Sequence, residues 1–350
     1  MVRACYNPIM VEKTASLLGH VAGGGNLSFE EMAAAFDAIM RGQWTDDQIG
    51  LLLTALAAKG ETVDEIAGAA DAMRRHMTPI RSRHAEVLDT CGTGGGDSRM
   101  FNVSTTAAIV AAAAGVPVAK HGNRSITSRS GSADVLTELG VNIHASTSQV
   151  EACLDELGLC FCFAPVAHPA MKHVAAVRKK LGIRTIFNIL GPLVNPAGAC
   201  YQLLGAGRPE LRPLLAGALQ RLGTKRSFVV SGEDGLGDVT LAAGTNVTEV
   251  ADGRMREFSW RPEDFGIARQ SLDSLLIDTP AASAVVIRKV LGREPGPARD
   301  IVVLNAAAAL LAAGRATEPK SAAVISAEAI DNGAAERLIL RLAERSHQSA

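Results

Sequence analysis

Over residues 1–79 the apolar positions recur at helical spacing, as in Met32, Phe36 and Ile39, and again in Ile49, Leu52, Leu53 and Leu56. Each run opens on a hydroxyl followed three residues later by Glu or Gln: Ser28-Phe-Glu-Glu31, Thr45-Asp-Asp-Gln48 and Thr62-Val-Asp-Glu65. Such a pair satisfies two orphan amides reciprocally at a helix start. Gly42 and Gly60 supply the stops. No strand pattern interrupts this region, so it predicts a small all-helical domain.

After Pro79 short strand-like runs alternate with helical ones. The pairs are Glu86–Thr90 with Ser104–Ala114, Val116–Ala119 with Ser132–Leu139, and Leu159–Phe163 with His168–Leu181. Further along come a helix at Pro209–Leu222, a strand at Ser227–Val230, a β excursion within Leu241–Trp260, and helices at Asp300–Ala313 and Ser321–Arg345. Strand–helix alternation with short loops predicts parallel strands joined by helical crossovers, hence an α/β sheet covered on both faces. In such sheets ligands bind beyond the carboxyl ends of the strands, which directs attention to the segments after Thr90, Ala119 and Val230.

Hydrophobic residues make up 47% of the 350 positions and charged residues 20%, enough to bury a large core. The formal net charge is −1, without the basic stripe that nucleic-acid binding leaves, so an anionic ligand has to be caught by a local site. The N-terminal residues lack a signal-peptide pattern, and the longest apolar stretch, Thr105 to Val118, is too short and too rich in Gly and Ala to span a bilayer. Six cysteines without a Cys-x-x-Cys pair or zinc-like His spacing read as reduced thiols of a cytoplasmic protein. Cys160 and Cys162, two apart in a strand-like run, face one side and read as small core residues.

Three loops carry candidate chemistry. Asp89-Thr-Cys-Gly-Thr-Gly-Gly-Gly-Asp97 follows a strand and leads to Asn102-Val-Ser-Thr105, which opens a helix with Ser104 as its natural cap. Glycines let the backbone approach a ligand, and amides at a helix start favour phosphate. The loop is neither a P-loop nor a dinucleotide fingerprint, and the plainer alternative is a tight turn. Lys120-His-Gly-Asn-Arg-Ser-Ile-Thr-Ser-Arg-Ser-Gly-Ser132 follows the next strand and is crowded with donors, Ile126 being its one sizeable apolar residue. Lysine as a point charge and arginine as a fork suit several phosphate oxygens, and two such loops side by side predict a pyrophosphate-sized anion site. Ser231-Gly-Glu-Asp-Gly-Leu-Gly-Asp238 offers carboxylates for magnesium, or is an acidic turn. Arg178 lies two to three helical turns from His168, within reach of the same cleft and suited to a small carboxylate.

Four blocks, DTCGTGGG…FNVST, VAKHGNRSITSRSGSADVLTELGVNI, FAPVAHPAMKHVAAVRKKLGIRTIFNILGPLVNP and VVSGEDGLGDVT, resemble the successive signatures of the anthranilate phosphoribosyltransferase family. The likeness is collinear from the helical start to about Gly266. It implies an α/β fold of the nucleoside phosphorylase and class III phosphoribosyltransferase kind, a larger domain with a mainly parallel sheet beside the helical one. Residues 1–79 with roughly 170–190 would form a helical dimerisation domain, and 80–169 with 191–350 the domain that binds 5-phosphoribosyl 1-diphosphate. The implied protein is a cytoplasmic homodimer that uses Mg2+ and joins anthranilate to that diphosphate in tryptophan biosynthesis, binding neither nucleic acid nor membrane.

Carried over by position, the diphosphate substrate would meet Gly92, Gly95, Gly96 and Met100, then Asn102, Val103, Ser104 and Thr105. It would also meet Lys120, His121, Gly122, Asn123, Arg124, Ser125, Ser128 and Ser132. Gly92, His121, Asn123, His168 and Arg178 would surround anthranilate, Arg178 through its carboxylate. Ser104, Asp234 and Asp238 would hold metal, while Lys120 and Arg124 would take up leaving-group charge. An aryl amine is already neutral and nucleophilic at pH 7, so positioning and charge stabilisation outweigh any general base. The chain departs from the family pattern at Gly96 (with Asp97 displaced by one), at Met100 in place of Thr, and at Gly237, where an acid is usual and Asp238 follows in the place of Glu. Compensation by Asp97 or Asp234, weaker metal binding, a paralogue acting on another aromatic amine, and a non-catalytic binder of the same fold all accommodate these changes.

Overall fold

In a computed structural model of the chain the described residues are 8–94, 99–125 and 129–349, with 8–13 described by backbone alone. Gly95, Gly96, Asp97 and Ser128 lie outside them. The chain opens with α1 (Pro8–Ala22), α2 (Phe29–Met40), α3 (Asp46–Lys59) and α4 (Val63–His76). All three expected capping boxes form, at Ser28, Thr45 and Thr62. The last is built into the core: fully buried Glu65 accepts from the Thr62 amide at 2.8 Å, from the Leu27 amide at 2.9 Å and from Lys59 Nζ at 2.7 Å. One carboxylate thus ties the α1–α2 connection to the α3–α4 turn.

Strands and helices then alternate: β1 (Leu88–Gly92), α5 (Val103–Ala113), β2 (Val118–Gly122), α6 (Ser132–Glu138), α7 (Thr147–Leu157), β3 (Leu159–Phe163), α8 (Ala164–Ala167), α9 (Lys172–Leu181) and α10 (Phe187–Leu190). Next come β4 (Tyr201–Gly205), α11 (Leu211–Arg221), β5 (Arg226–Gly232), β6 (Thr245–Ala251) and β7 (Arg254–Trp260). The chain finishes with α12 (Pro280–Leu291), α13 (Pro297–Ala312), α14 (Pro319–Asp331) and α15 (Ala334–Arg345).

Among the described residues the sheet has seven strands in the order β3-β2-β1-β4-β5-β6-β7. Those from β3 to β5 run parallel, and β6 and β7 form an antiparallel hairpin at the β5 edge. Strand alternation divides two cores: Leu203, Phe228 and Val230 face a layer containing α5 and α13, while Leu204 and Val229 face α11 and, through it, α4. Helix α9 packs on α3, so the first four helices and α9 share one apolar cluster. The strand order reverses between β1 and β4, a topological switch point that opens a crevice at their carboxyl ends.

Several elements differ from the sequence reading. The single helix expected over Ser321–Arg345 is two, broken at Gly333, whose φ is 75°. Strand β4 and helices α7 and α12 are additions to the expected set. Helix α7 carries the same capping box as the early helices, Ser146 with Gln149, in a stretch otherwise lacking a clear apolar period. Strand β4 is short and holds a buried Gln202, which hides its strand pattern.

Candidate active site

The crevice is a cavity of about 700 Å³ lined from both halves of the fold. Its floor is made by strand ends. Lys120, near the end of β2 and 3% exposed, donates through Nζ to the Thr90 carbonyl. Burial lowers its pKa, while Asp89 and Asp238 oppose that shift. Asp89 is itself fully buried, accepting from the His121 amide at 3.1 Å and from Asn195 Nδ2 at 2.8 Å. Burial raises its pKa and Lys120 opposes. Asp238, half-buried in the cavity wall, is pushed up to about 7 by desolvation, with Lys120 as the opposing charge. No hydrogen bond to the Asp238 carboxylate is formed among the described residues.

The cap expected at Ser104 lies two residues earlier, with Asn102 at the N-cap and no side-chain capping bond. Ser104 and Thr105 therefore lie in the first turn and line the cavity with Val103. Thr105 is 1% exposed, and its Oγ1 is buried without a hydrogen-bonding partner among the described residues. An orphaned hydroxyl beside unsatisfied helix-start amides is a place where an anion would complete the bonding.

The second donor loop closes on itself. Asp134 Oδ2 accepts from the Ser125 amide at 2.9 Å and from the Gly131 amide at 3.1 Å, while Arg124 donates to Oδ1 at 2.9 Å. A Cβ on Gly131 would come within 2.3 Å of the Ser125 nitrogen, so this fold of the loop requires glycine there. Arg124 lines the cavity already paired, together with Gly92, Met100, Gly122, Asn123, Ser125 and Ser132.

His121 and His168 form a pair, Nε2 to Nε2 at 3.2 Å. A carbonyl only accepts, so the Gly191 oxygen 3.1 Å from His121 Nδ1 puts that ring's proton on Nδ1. His168 bonds the Val194 backbone as well as His121, and burial disfavours a charge on either ring. Burial pushes His121 to about 3, with His168 adding to the effect, and pushes His168 to about 4. Only His121 of the two lines the cavity; His168 stands behind it. Because unfolded histidines titrate near 6.5, the unfolded chain takes up two protons first as pH falls, and stability drops from about pH 6.5 downward by roughly 2 kcal/mol per histidine at pH 5. Asp238 works in the opposite direction over this range. Replacing His168 by Asn is expected to flatten the acid limb, read as the slope of denaturant-derived stability against pH relative to the parent; an unchanged slope would show that the pair titrates normally.

Arg178, in the last turn of α9, lines the opposite wall with its guanidinium 5.2 Å from the Phe187 ring centroid. Burial lowers its pKa, and it has no carboxylate partner among the described residues. A desolvated guanidinium without a counter-ion is poised for an incoming carboxylate. Asp234 is not brought to the cavity. Its Oδ1 accepts from the Leu236 amide at 3.1 Å and its Oδ2 from Thr240 Oγ1 at 2.5 Å, so it holds its own turn. At Gly237 the backbone presses on β4: its carbonyl oxygen lies 1.6 Å from where a Cβ on Gly205 would sit.

The sequence reading passed over Glu61, Arg184, Thr185, Asn188 and Arg208, which also line the cavity. Arg184 to Asn188 fall in the RTIFN block, whose polar residues amid apolar ones were a usable signal. Glu61 had none, being one acid in an exposed-looking turn.

The chain matches two family models, "Glycosyl transferase family, helical bundle domain" over residues 15–77 and "Glycosyl transferase family, a/b domain" over residues 84–336. It is 48% identical over 325 residues to an anthranilate phosphoribosyltransferase of Rhodopirellula baltica, covering 93% of this chain and 95% of the relative. The solved anthranilate phosphoribosyltransferase of Thermus thermophilus superposes with a TM-score of 0.89 at 42% identity, covering 95% of this chain and 99% of that one. The Saccharomyces cerevisiae enzyme in complex with PRPP and Mg superposes at 0.86 and 28% identity, covering 96% and 98%.

Proposed function

This chain belongs to the anthranilate phosphoribosyltransferase family, and we propose that its cavity binds the diphosphate substrate along β1–α5 and β2–α6 while anthranilate docks on the Arg178 wall. The reaction transfers the phosphoribosyl group of 5-phosphoribosyl 1-diphosphate to anthranilate, releasing pyrophosphate, in tryptophan biosynthesis. One juxtaposition carries the assignment: the uncapped start of α5 and Lys120 on one side of a single cavity, and a guanidinium without a counter-ion on the other.

In this reading the free amides of α5 and the Thr105 hydroxyl hold diphosphate oxygens, while Lys120 and Arg124 offset the charge that leaves with pyrophosphate. Arg178 fixes the anthranilate carboxylate, which aims the neutral amine at the ribose carbon and converts a bimolecular encounter into an oriented one. The neutral His121–His168 pair gives the acceptor side a wall free of charge. Asp238 and Ser104 would hold magnesium, and a desolvated carboxylate without a hydrogen bond fits an ion that takes one or two carboxylates and completes its shell with substrate oxygens. When bound, the ion neutralises diphosphate charge. Anthranilate fluorescence tests the whole: loss that requires both diphosphate and magnesium supports the reading, and no turnover with intact diphosphate binding overturns the acceptor assignment.

Arg178→Ala is expected to raise the KM for anthranilate by about a hundredfold, the loss of a charge-assisted bidentate contact, and to leave the KM for the diphosphate substrate within twofold. Equal weakening of both substrates in steady-state kinetics would remove Arg178 from the carboxylate. We also propose a homodimer joined through the helical region, supported by Leu51 on α3 and Ile183 just after α9, which are 53% and 50% exposed. Sedimentation giving a monomer mass at micromolar concentration would overturn it. No helix among the described residues is long and apolar enough to cross a membrane. A cytoplasmic location is proposed on the same family basis, and recovery of the protein in a membrane pellet would count against it.

A further inference from the structure

Asn102 occupies the N-cap of α5 but does not cap it. Asparagine is among the best capping residues because its side-chain oxygen readily takes the second or third amide of the helix. Here that oxygen is engaged elsewhere: Oδ1 accepts from Ser130 Oγ and from Ser283 Oγ, each at 2.7 Å. The Asn102 amide donates back to Ser283 Oγ at 3.0 Å, and Asn102 Nδ2 donates to the Ser130 carbonyl at 3.2 Å. Ser283 is fully buried on α12, 181 residues away in sequence, and does not line the cavity. The chain just before α12 supports the same place, since the Phe101 amide donates to Leu275 O and the Ile277 amide to Arg99 O.

We propose that Ser283 is a positioning residue for the diphosphate site: by holding Asn102 off the start of α5, it leaves the Ser104 and Thr105 amides open to substrate phosphate. The inference rests on the reading that diphosphate sits at this helix start. Without Ser283, Oδ1 keeps the Ser130 hydroxyl as donor, the Asn102 amide loses its acceptor, and the carboxamide, now held through Ser130, turns more readily to cap the helix. Substrate then has to displace a bond that the parent never makes. Because the effect runs through Asn102 to phosphate, it is specific to one substrate and depends on the asparagine.

The test is a double-mutant cycle in the full-length protein, with Thr105→Val as the control for the site itself. Ser283→Ala is expected to raise the KM for 5-phosphoribosyl 1-diphosphate about tenfold, the equivalent of one hydrogen bond, and to leave the KM for anthranilate within twofold. In an Asn102→Ala background the same substitution should change neither constant further. Ser283→Cys keeps the volume with a weak hydrogen-bonding group and should reproduce the pattern if the alanine variant is poorly folded. An unchanged diphosphate KM in Ser283→Ala, with a raised one in Thr105→Val, overturns the role of Ser283 and spares the site. An unchanged diphosphate KM in Thr105→Val overturns the site and this inference with it. A rise in both KM values, or one that persists without Asn102, makes Ser283 a packing residue and also overturns the inference.

Discussion

Lys120→Met is expected to lower kcat/KM for the diphosphate substrate by about a thousandfold, the upper range for losing one preorganised donor to developing negative charge. Methionine keeps the volume of the stem, so the loss isolates the ammonium. The side chain does more than face the ligand, because it is the opposing charge for both Asp89 and Asp238. Removing it leaves both carboxylates without that opposing charge, in a floor where burial already raises the pKa of each. Carboxyls whose folded pKa is raised favour folding while protonated and lose that advantage as pH rises through the folded value. The variant should therefore lose stability more steeply than the parent between pH 5.5 and 8. Steady-state kinetics with denaturant melts at both pH values check the two halves. Activity within tenfold of the parent, or parallel stability curves, would show that Lys120 is neither a ligand group nor the counter-ion of the floor.

Asp238→Asn carries the second large effect, a fall in turnover of about a hundredfold or more with loss of the magnesium dependence. The carboxyl, pushed up to about 7, must give up its proton before it can hold a cation. Below that pH, magnesium binding to the parent complex with diphosphate should weaken by about tenfold per unit and release a proton, visible by calorimetry in buffers of different ionisation enthalpy. The Asn variant should release none. In stability the sign reverses: the raised carboxyl contributes to folding below about pH 4 to 7 and that contribution fades as pH rises, so the variant should be flatter across this window. Unchanged metal affinity and proton release in Asp238→Asn would make this loop a turn, as Asp234 already is.

The departure at Gly237 has a local counterpart in the packing. A Cβ there would lie 3.1 Å from Gly207 Cα, so the family's usual acid requires β4's exit loop to give by a few tenths of an ångström. Asp238 stands as the carboxylate this loop offers to the cavity, and among the described residues Lys120 is its opposing charge. This makes the two predicted effects interdependent: substitution of either residue changes the ionisation of the other.

What was legible in the sequence was local. The boxes at Ser28, Thr45 and Thr62 are satisfied within four residues, and the donor-rich composition of Lys120 to Ser132 follows from the residues themselves. Strand β3 and the segments after Thr90 and Ala119 as places to look for ligand were equally readable, since apolar runs and glycines mark them, whereas the strand order was not. The break at Gly333 and the box at Ser146 were local too, but long apolar helices and a weak period masked them.

Tertiary structure decided which polar groups face the ligand. His168 and His121 are both imidazoles near a cleft in sequence terms, yet packing turns one to the wall and the other behind it. Asp234 and Asp238 differ by four positions, and only the second escapes its own turn. Asn102 has a capping side chain whose oxygen is claimed by Ser130 and by Ser283 from α12. The physical reason is common to all three: distant segments meet only after the sheet has brought them together, and their packing settles which polar groups gain a partner, as Asn102 does, and which are desolvated facing the cavity, as Asp238 is.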